Sequence, residues 1–250
     1  MILILINSKG EFMFKGKKVI IFDLDGTLID SVGMWNDTDE ELIRKITNSN
    51  IQVKNIQSLR DSVLAKAKNA NIYLEYCDFL RKKYKTSLTA EEIHKLRYNI
   101  AREYMKNITY KPMADVVLHK LKAKGFIIAM ATTTGRRNIE EYMNSNENMN
   151  SKVDMNKIFS VIFTKDDVEN KKPDPEVYNK IMDLFNVKPF ECLIFEDSLV
   201  GVQSAKNAGI AVATIYDRYS DNEREDINKL TDYYFNDFGE VNDCINTEFN

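Results

Sequence analysis

Apolar positions in this 250-residue chain follow two rhythms. Predominantly apolar runs of strand length stand at residues 19–22, 126–131, 159–163, 192–195 and 210–215, with a sixth candidate at 232–235. Val19, Ile20 and Ile21 are β-branched, and a run that is apolar at every position predicts a strand buried on both faces. Helical patterns alternate with these runs from Pro112 onward. They cover residues 116–124, closed by Gly125, then 136–143, 175–186 with Val177, Ile181, Leu184 and Phe185 inward, and 199–208, ended by Gly209. Such alternation with short connections predicts a parallel sheet covered by helices on both faces, an α/β, Rossmann-like core. The polar stretch 144–151 predicts a loose, mobile loop on the sheet edge away from the carboxyl ends of the strands, so that its deletion should spare activity.

Between residues 31 and 110 the rhythm is helical throughout. Trp35, Leu42, Ile43 and Ile46 share one face; Leu59, Val63 and Ala67 continue a second helix; Ile72, Tyr76, Phe79, Leu80 and Tyr84 mark a third. Thr89 followed by Glu92 is a capping box that opens a fourth, carrying Ile93, Leu96, Ile100 and Tyr104. The expected organisation is therefore a core segment at 1–30, an all-helical cap at 31–111 inserted after the first strand, and the remaining core at 112–250.

Composition narrows the function classes. A chain that is 44% hydrophobic and 29% charged is ordinary globular material, and a formal net charge of −3 argues against nucleic acid or a membrane surface as partner. The cluster Arg81-Lys82-Lys83 reads as the solvated face of a helix. Three widely spaced cysteines, Cys77, Cys192 and Cys244, lack metal spacing and point to buried thiols in a reducing, cytoplasmic setting. The two histidines, His94 and His119, lie in helical patterns and offer no histidine mechanism. Residues 1–6 are apolar but too short to span a bilayer and lack a basic start and a small-residue cleavage site. They predict an extra strand or an upstream extension, and Met13 is an alternative start.

The residues just beyond each apolar run carry the chemistry. Asp23 and Asp25 stand after the first, Thr132-Thr133-Thr134 after the second, Lys171-Lys172-Pro173-Asp174-Pro175 in the loop beyond the third, and Glu196-Asp197-Ser198 after the fourth. In a parallel sheet these ends share one edge, where sites form. Four carboxylates, hydroxyls and a lysine suit a phosphate held with a hard, oxygen-seeking divalent cation such as Mg²⁺. Singly, each stretch reads as a polar loop or a turn; four in order at four strand ends do not.

These stretches resemble the four motifs of the haloacid dehalogenase superfamily of phosphotransferases. Asp23-Leu-Asp-Gly-Thr27 matches the first, Thr132 the second, Lys172 before Pro173 the third, and the Glu196-Asp197 pair the fourth. The Lys-Pro-x-Pro run and the pattern from Glu196 to Gly209 are similar to the branch with a helical cap, which includes β-phosphoglucomutase-like and phosphoglycolate phosphatase-like proteins. The resemblance implies that Asp23 attacks phosphorus and that Asp25 protonates the leaving alcohol and then activates water. It implies that Thr132 and the Thr133 N–H hold the phosphoryl group and that Lys172 offsets charge. It places Mg²⁺ on Asp23, the Asp25 carbonyl and Asp197, with Glu196 a direct or water-mediated helper.

The activity so implied is Mg²⁺-dependent hydrolysis of a small phosphorylated metabolite by a monomer. Two alternatives stand beside it: a β-phosphoglucomutase-type phosphomutase and a non-catalytic binding protein on the same scaffold. The mutases of this branch carry a histidine on the first cap helix, where this chain has Trp35, and no histidine precedes His94; that departure favours a phosphatase. A binding protein predicts a lost motif residue, and none is lost. Trp35 is also a candidate substrate contact, with packing between cap helices as the competing reading. The cap is expected to close over the site about hinges near Ser31 and Lys111.

Overall fold

The apolar runs become six parallel strands of one sheet. A computed structural model describes residues 12–49, 55–67 and 71–249; the extra strand expected at residues 1–6 lies outside them. In chain order the elements are β1 (Val19–Phe22), α1 (Val32–Thr47), α2 (Ile56–Leu64), α3 (Ile72–Tyr84), α4 (Ala90–Met105), α5 (Ala114–Ala123), β2 (Ile127–Ala131), α6 (Arg136–Ser145), α7 (Glu147–Lys152), α8 (Met155–Ile158), β3 (Val161–Phe163), α9 (Glu176–Phe185), β4 (Cys192–Glu196), α10 (Leu199–Asn207), β5 (Ala211–Ile215), α11 (Arg224–Leu230), β6 (Tyr233–Phe235) and α12 (Phe238–Phe249). The strand order is β3-β2-β1-β4-β5-β6, the Rossmann order. Strand β1 lies between β2 and β4, with Phe22 in register with Met130 and Phe195. The order reverses beside β1, so the crevice for a ligand opens just beyond Phe22.

Burial explains why β1 is apolar at every position. Val19 and Ile21 pack into a core with Tyr178 and Ile181 of α9, Val202 and Ala205 of α10, and Ile227 of α11. The alternate residue Phe22 stacks on Phe195 with ring centroids 4.8 Å apart and meets Phe238 of α12 at 6.4 Å. Each fully buried side chain of this size contributes roughly 1.5–3 kcal/mol, which holds the strand that carries the first two acids. All three cysteines are free and buried. Among the described residues, no helix is long and apolar enough to cross a membrane.

The chain divides into two compact units, Met1–Asp30 with Ile108–Asn250, and Ser31–Asn107. The second is helical, with Leu42, Ile43, Tyr76, Leu80, Ile93 and Ile100 in its core. The Thr89–Glu92 capping box forms, with bonds of 3.2 and 2.7 Å. The same unit buries a charge cluster. Asp39 of α1, fully buried, accepts Arg97 Nε at 2.6 Å and Arg60 NH1 at 2.9 Å. The Arg97 guanidinium also lies 5.1, 5.0 and 5.8 Å from the ring centres of Trp35, Tyr73 and Tyr76. One carboxylate thus ties α1 to both α2 and α4.

The helical unit spans Ser31–Asn107, and the return segment after it is bonded into the sheet unit. Asp30 N–H donates to the Thr109 carbonyl, Lys111 N–H to that of Leu28, and Lys111 Nζ to Asp217 Oδ2 at 2.8 Å. The expected loose loop at 144–151 is the end of α6 followed by α7. Asn146, fully buried, caps α7 by accepting the Met149 N–H at 2.9 Å, and Met149 is itself fully buried. One cap and one anchoring methionine suffice for a helix that the polar composition conceals. Leu184 of α9 is 55% exposed rather than inward; Tyr178 and Met182 take the buried face with Val177 and Ile181.

Candidate active site

Four strand ends deliver the charged groups to one place. β1 runs directly into Asp23, whose N–H donates to the Phe195 carbonyl at 3.0 Å and so holds the carboxylate at the end of the sheet. The loop after β3 brings in Lys172, preceding a cis peptide bond to Pro173. Its Nζ donates to Asp23 Oδ1 at 2.8 Å, to Glu196 Oε1 at 2.6 Å and to the Ala131 carbonyl at 3.0 Å. An ammonium has three protons, and all three have protein acceptors. The Tyr178 ring closes the remaining side, 5.4 Å from Nζ.

Glu196 and Asp197 share a strand end but have different surroundings. Glu196 Oε2 accepts the N–H of Asp197 at 3.0 Å, the N–H of Ser198 at 3.3 Å and the Ser198 hydroxyl at 3.1 Å. With Oε1 on Lys172, both oxygens of Glu196 are engaged. Gly201 of α10 makes room for this carboxylate, since a Cβ there would lie 1.8 Å from Oε1. Asp197 accepts the Thr27 hydroxyl through Oδ1 at 2.7 Å. Its Oδ2 lies where a Cβ on Gly26 would come within 2.4 Å, and Gly26 has φ +82°, so both space and backbone conformation require glycine there.

The charges are buried and unequal in number. Asp23, Glu196 and Asp197 are all buried, and one oxygen from each lies within 4.8 Å of the others. Burial pushes the Asp23 carboxyl up to about 7 against the pull of Lys172, and Glu196 and Asp25 add to the rise. Burial, then Glu196 and Asp23, hold Asp197 well above the usual carboxylate range. Burial by itself would lower Lys172, but Asp23 and Glu196 hold its ammonium charged well above the ordinary lysine range. A divalent cation fits this donor set. It is all oxygen, it carries more negative charge than Lys172 offsets, and among the described residues Asp23 and Asp197 each commit only Oδ1 to a hydrogen bond.

The three threonines after β2 take three different positions. Thr132 is buried, and its Oγ1 accepts the Thr134 N–H at 3.0 Å. Thr133 is exposed. Thr134 donates its hydroxyl to Asp25 Oδ2. Asp25 is half-buried. The sheet unit therefore brings together Asp23, Lys172, Glu196 and Asp197, and separately joins Asp25 to Thr134. Trp35 belongs to the helical unit, where it is half-buried against Arg97.

Several partners here carry no sequence mark of their own. Tyr178 beneath Lys172 is one residue of an amphipathic helix, and Gly201 reads as a helix-start glycine. Only the position of Thr134, two residues beyond Thr132 in the same motif, could have singled it out.

The family model of haloacid dehalogenase-like hydrolases matches residues 20–215. Among curated relatives, the chain is 28% identical to a phosphorylated carbohydrates phosphatase of Thermotoga maritima, over 77% of this chain and 82% of that protein. It is also 28% identical to the pyrophosphatase PpaX of Bacillus cereus, over 78% and 82%. Among solved structures it is similar to CbbY of Rhodobacter sphaeroides in complex with phosphate, with a TM-score of 0.68 at 23% identity over 90% of this chain and 96% of that one. It is similar in the same way to β-phosphoglucomutase of Clostridium difficile, with a TM-score of 0.61 at 18% identity over 93% and 98%. At such identities the structural likeness is one of fold.

Proposed function

Since the chain belongs to the haloacid dehalogenase-like hydrolases, we propose that it is a Mg²⁺-dependent phosphatase that hydrolyses a small phosphorylated metabolite through a phosphorylated Asp23. The observation that carries this reading is the buried set of Asp23, Glu196 and Asp197, with Lys172 paired to the first two. The phosphatase activities named for the relatives support the substrate class.

In this reading Asp23, Asp197 and the Asp25 carbonyl hold Mg²⁺, while Glu196, with both oxygens engaged, acts behind them as the anchor of Lys172. Mg²⁺, when bound, supplies Lewis-acid neutralisation of charge on the phosphoryl oxygens. Asp23 attacks phosphorus as its oxygen–phosphorus bond forms and the bond to the leaving alcohol breaks. Asp25 gives its proton to the leaving oxygen. Water then attacks the phosphorylated Asp23, its proton returns to Asp25, and inorganic phosphate departs with Asp23 restored. A buried carboxylate whose burial disfavours its ionised form is a poor nucleophile alone, and Lys172 beside it favours the ionised state.

Thr132 uses its oxygen as acceptor from Thr134, which leaves its O–H to donate to a phosphoryl oxygen alongside the Thr133 N–H. Trp35 remains the candidate substrate contact of the helical unit. Its place where the mutases of this branch carry histidine supports hydrolysis over transfer between sugar hydroxyls.

The test is Mg²⁺-supported hydrolysis of p-nitrophenyl phosphate, followed by a screen of phosphorylated metabolites. Asp23→Asn should reduce turnover to background; an Asp23→Asn protein that keeps its rate sinks the nucleophile assignment. Interconversion of glucose 1- and 6-phosphates by the parent protein would favour the mutase reading.

A further inference from the structure

Asp25 and Thr134 lie 109 residues apart and on different strand ends, yet the Thr134 hydroxyl donates to Asp25 Oδ2. The threonine is itself held in place, because its N–H donates to Thr132 Oγ1 at 3.0 Å and so closes a side-chain turn. The first threonine of the motif thus fixes the backbone of the third, and the third reaches across to the Asp25 carboxylate beyond β1. Thr133, between them, is exposed and takes no part in this arrangement.

When a carboxyl accepts a hydroxyl bond on one oxygen, any proton it carries sits on the other. The tie therefore bears on which oxygen of Asp25 would hold the proton and on where that oxygen points. Proton transfer to a leaving group depends steeply on such alignment.

We propose that Thr134 is a positioning residue for proton transfer by Asp25, holding Oδ2 so that Oδ1 faces the leaving oxygen. This rests on the phosphatase reading and deepens it. Thr134 touches neither phosphorus nor cation; it acts through Asp25 alone. Its contribution should therefore scale with how much the leaving group needs a proton. Phenolate from phenyl phosphate needs one far more than nitrophenolate from p-nitrophenyl phosphate.

The experiment compares the parent, Thr134→Val and Thr134→Ser proteins on both substrates with Mg²⁺, with Asp23→Asn and Asp25→Asn as references. Thr134→Val should lower kcat on phenyl phosphate roughly tenfold and on p-nitrophenyl phosphate no more than about twofold, with KM unchanged. Thr134→Ser, which keeps the donor, should restore both. Equal loss on the two substrates, a rise in KM in place of the fall in kcat, or no rescue by serine would overturn the proposal.

A second measurement does not need turnover. The Asp25 carboxylate carbon resonance of ¹³C-aspartate-labelled protein, assigned with Asp25→Asn, should move in Thr134→Val and return in Thr134→Ser. An unmoved resonance overturns the contact itself. A moved resonance in a protein that hydrolyses neither substrate overturns the catalytic role through failure of the phosphatase reading.

Discussion

Each of the two units buries a cluster of charge, and the clusters are balanced differently. In the helical unit, fully buried Asp39 lies between Arg97 and Arg60, and Arg60 also donates to Asn36 at 3.1 Å. The carboxylate has more cationic partners than it needs. In the sheet unit, Asp23 and Glu196 share Lys172, Asp197 lies beside them on the Thr27 hydroxyl, and burial pushes Asp23 up to about 7. A carboxylate enclosed by guanidiniums is complete as it stands, and it serves to hold helices in register. Carboxylates that outnumber their ammonium leave a donor set that a divalent cation fits. Burial and charge are common to both clusters; the sign of the imbalance separates scaffold from site.

Substitution on each side gives the largest effects. Asp39→Ala leaves two buried guanidiniums without their anion and should cost about 3–5 kcal/mol of stability, read as a shift in the urea midpoint. Lys172→Met should instead leave a folded protein and lower kcat with Mg²⁺ by roughly 10²–10³-fold. An Asp39→Ala protein as stable as its parent, or a Lys172→Met protein with its rate intact, would break the comparison.

Metal addition sharpens it at a smaller scale. Mg²⁺ at about a hundred times its dissociation constant should stabilise the parent by about 2.7 kcal/mol. The increment should disappear in Asp197→Asn and survive conservative changes around Asp39. Equal stabilisation of the parent and Asp197→Asn by Mg²⁺ would place the ion elsewhere.

Gly201→Ala tests how tightly Glu196 is seated. A Cβ 1.8 Å from Glu196 Oε1 forces that carboxylate off Lys172. The expected cost is roughly 1–3 kcal/mol in stability and up to about 10²-fold in kcat from displaced charges. A Gly201→Ala enzyme indistinguishable from the parent would mean that Glu196 can move without consequence.

The sheet was legible because its strands are buried on both faces, so Val19 to Phe22 and Cys192 to Phe195 are continuous apolar runs. The acids and threonines of the candidate site were legible because they stand just past such runs, and the lysine because it lies in the loop beyond another. The helix at Glu147–Lys152 was not, since a buried asparagine cap and one methionine hold a segment whose composition is that of a loop. Thr134 gave no signal beyond its place in a motif, because its partner Asp25 lies beyond another strand, 109 residues away.

The sequence by itself determined the layering of the core, the insertion of a helical unit after the first strand, and the four strand ends at which charged and hydroxyl groups stand. These come from the local period of burial and from chain direction. Only the tertiary structure decided how those groups pair. It engaged both oxygens of Glu196, tied Asp25 to Thr134, required glycine at 26 and 201 to make room for carboxylates, and enclosed Asp39 between Arg60 and Arg97. Apart from the local bonds of Glu196 to Asp197 and Ser198, those pairings join residues from about 20 to more than 100 positions apart, or depend on a free space no larger than a methyl group, and no local pattern of residues carries either.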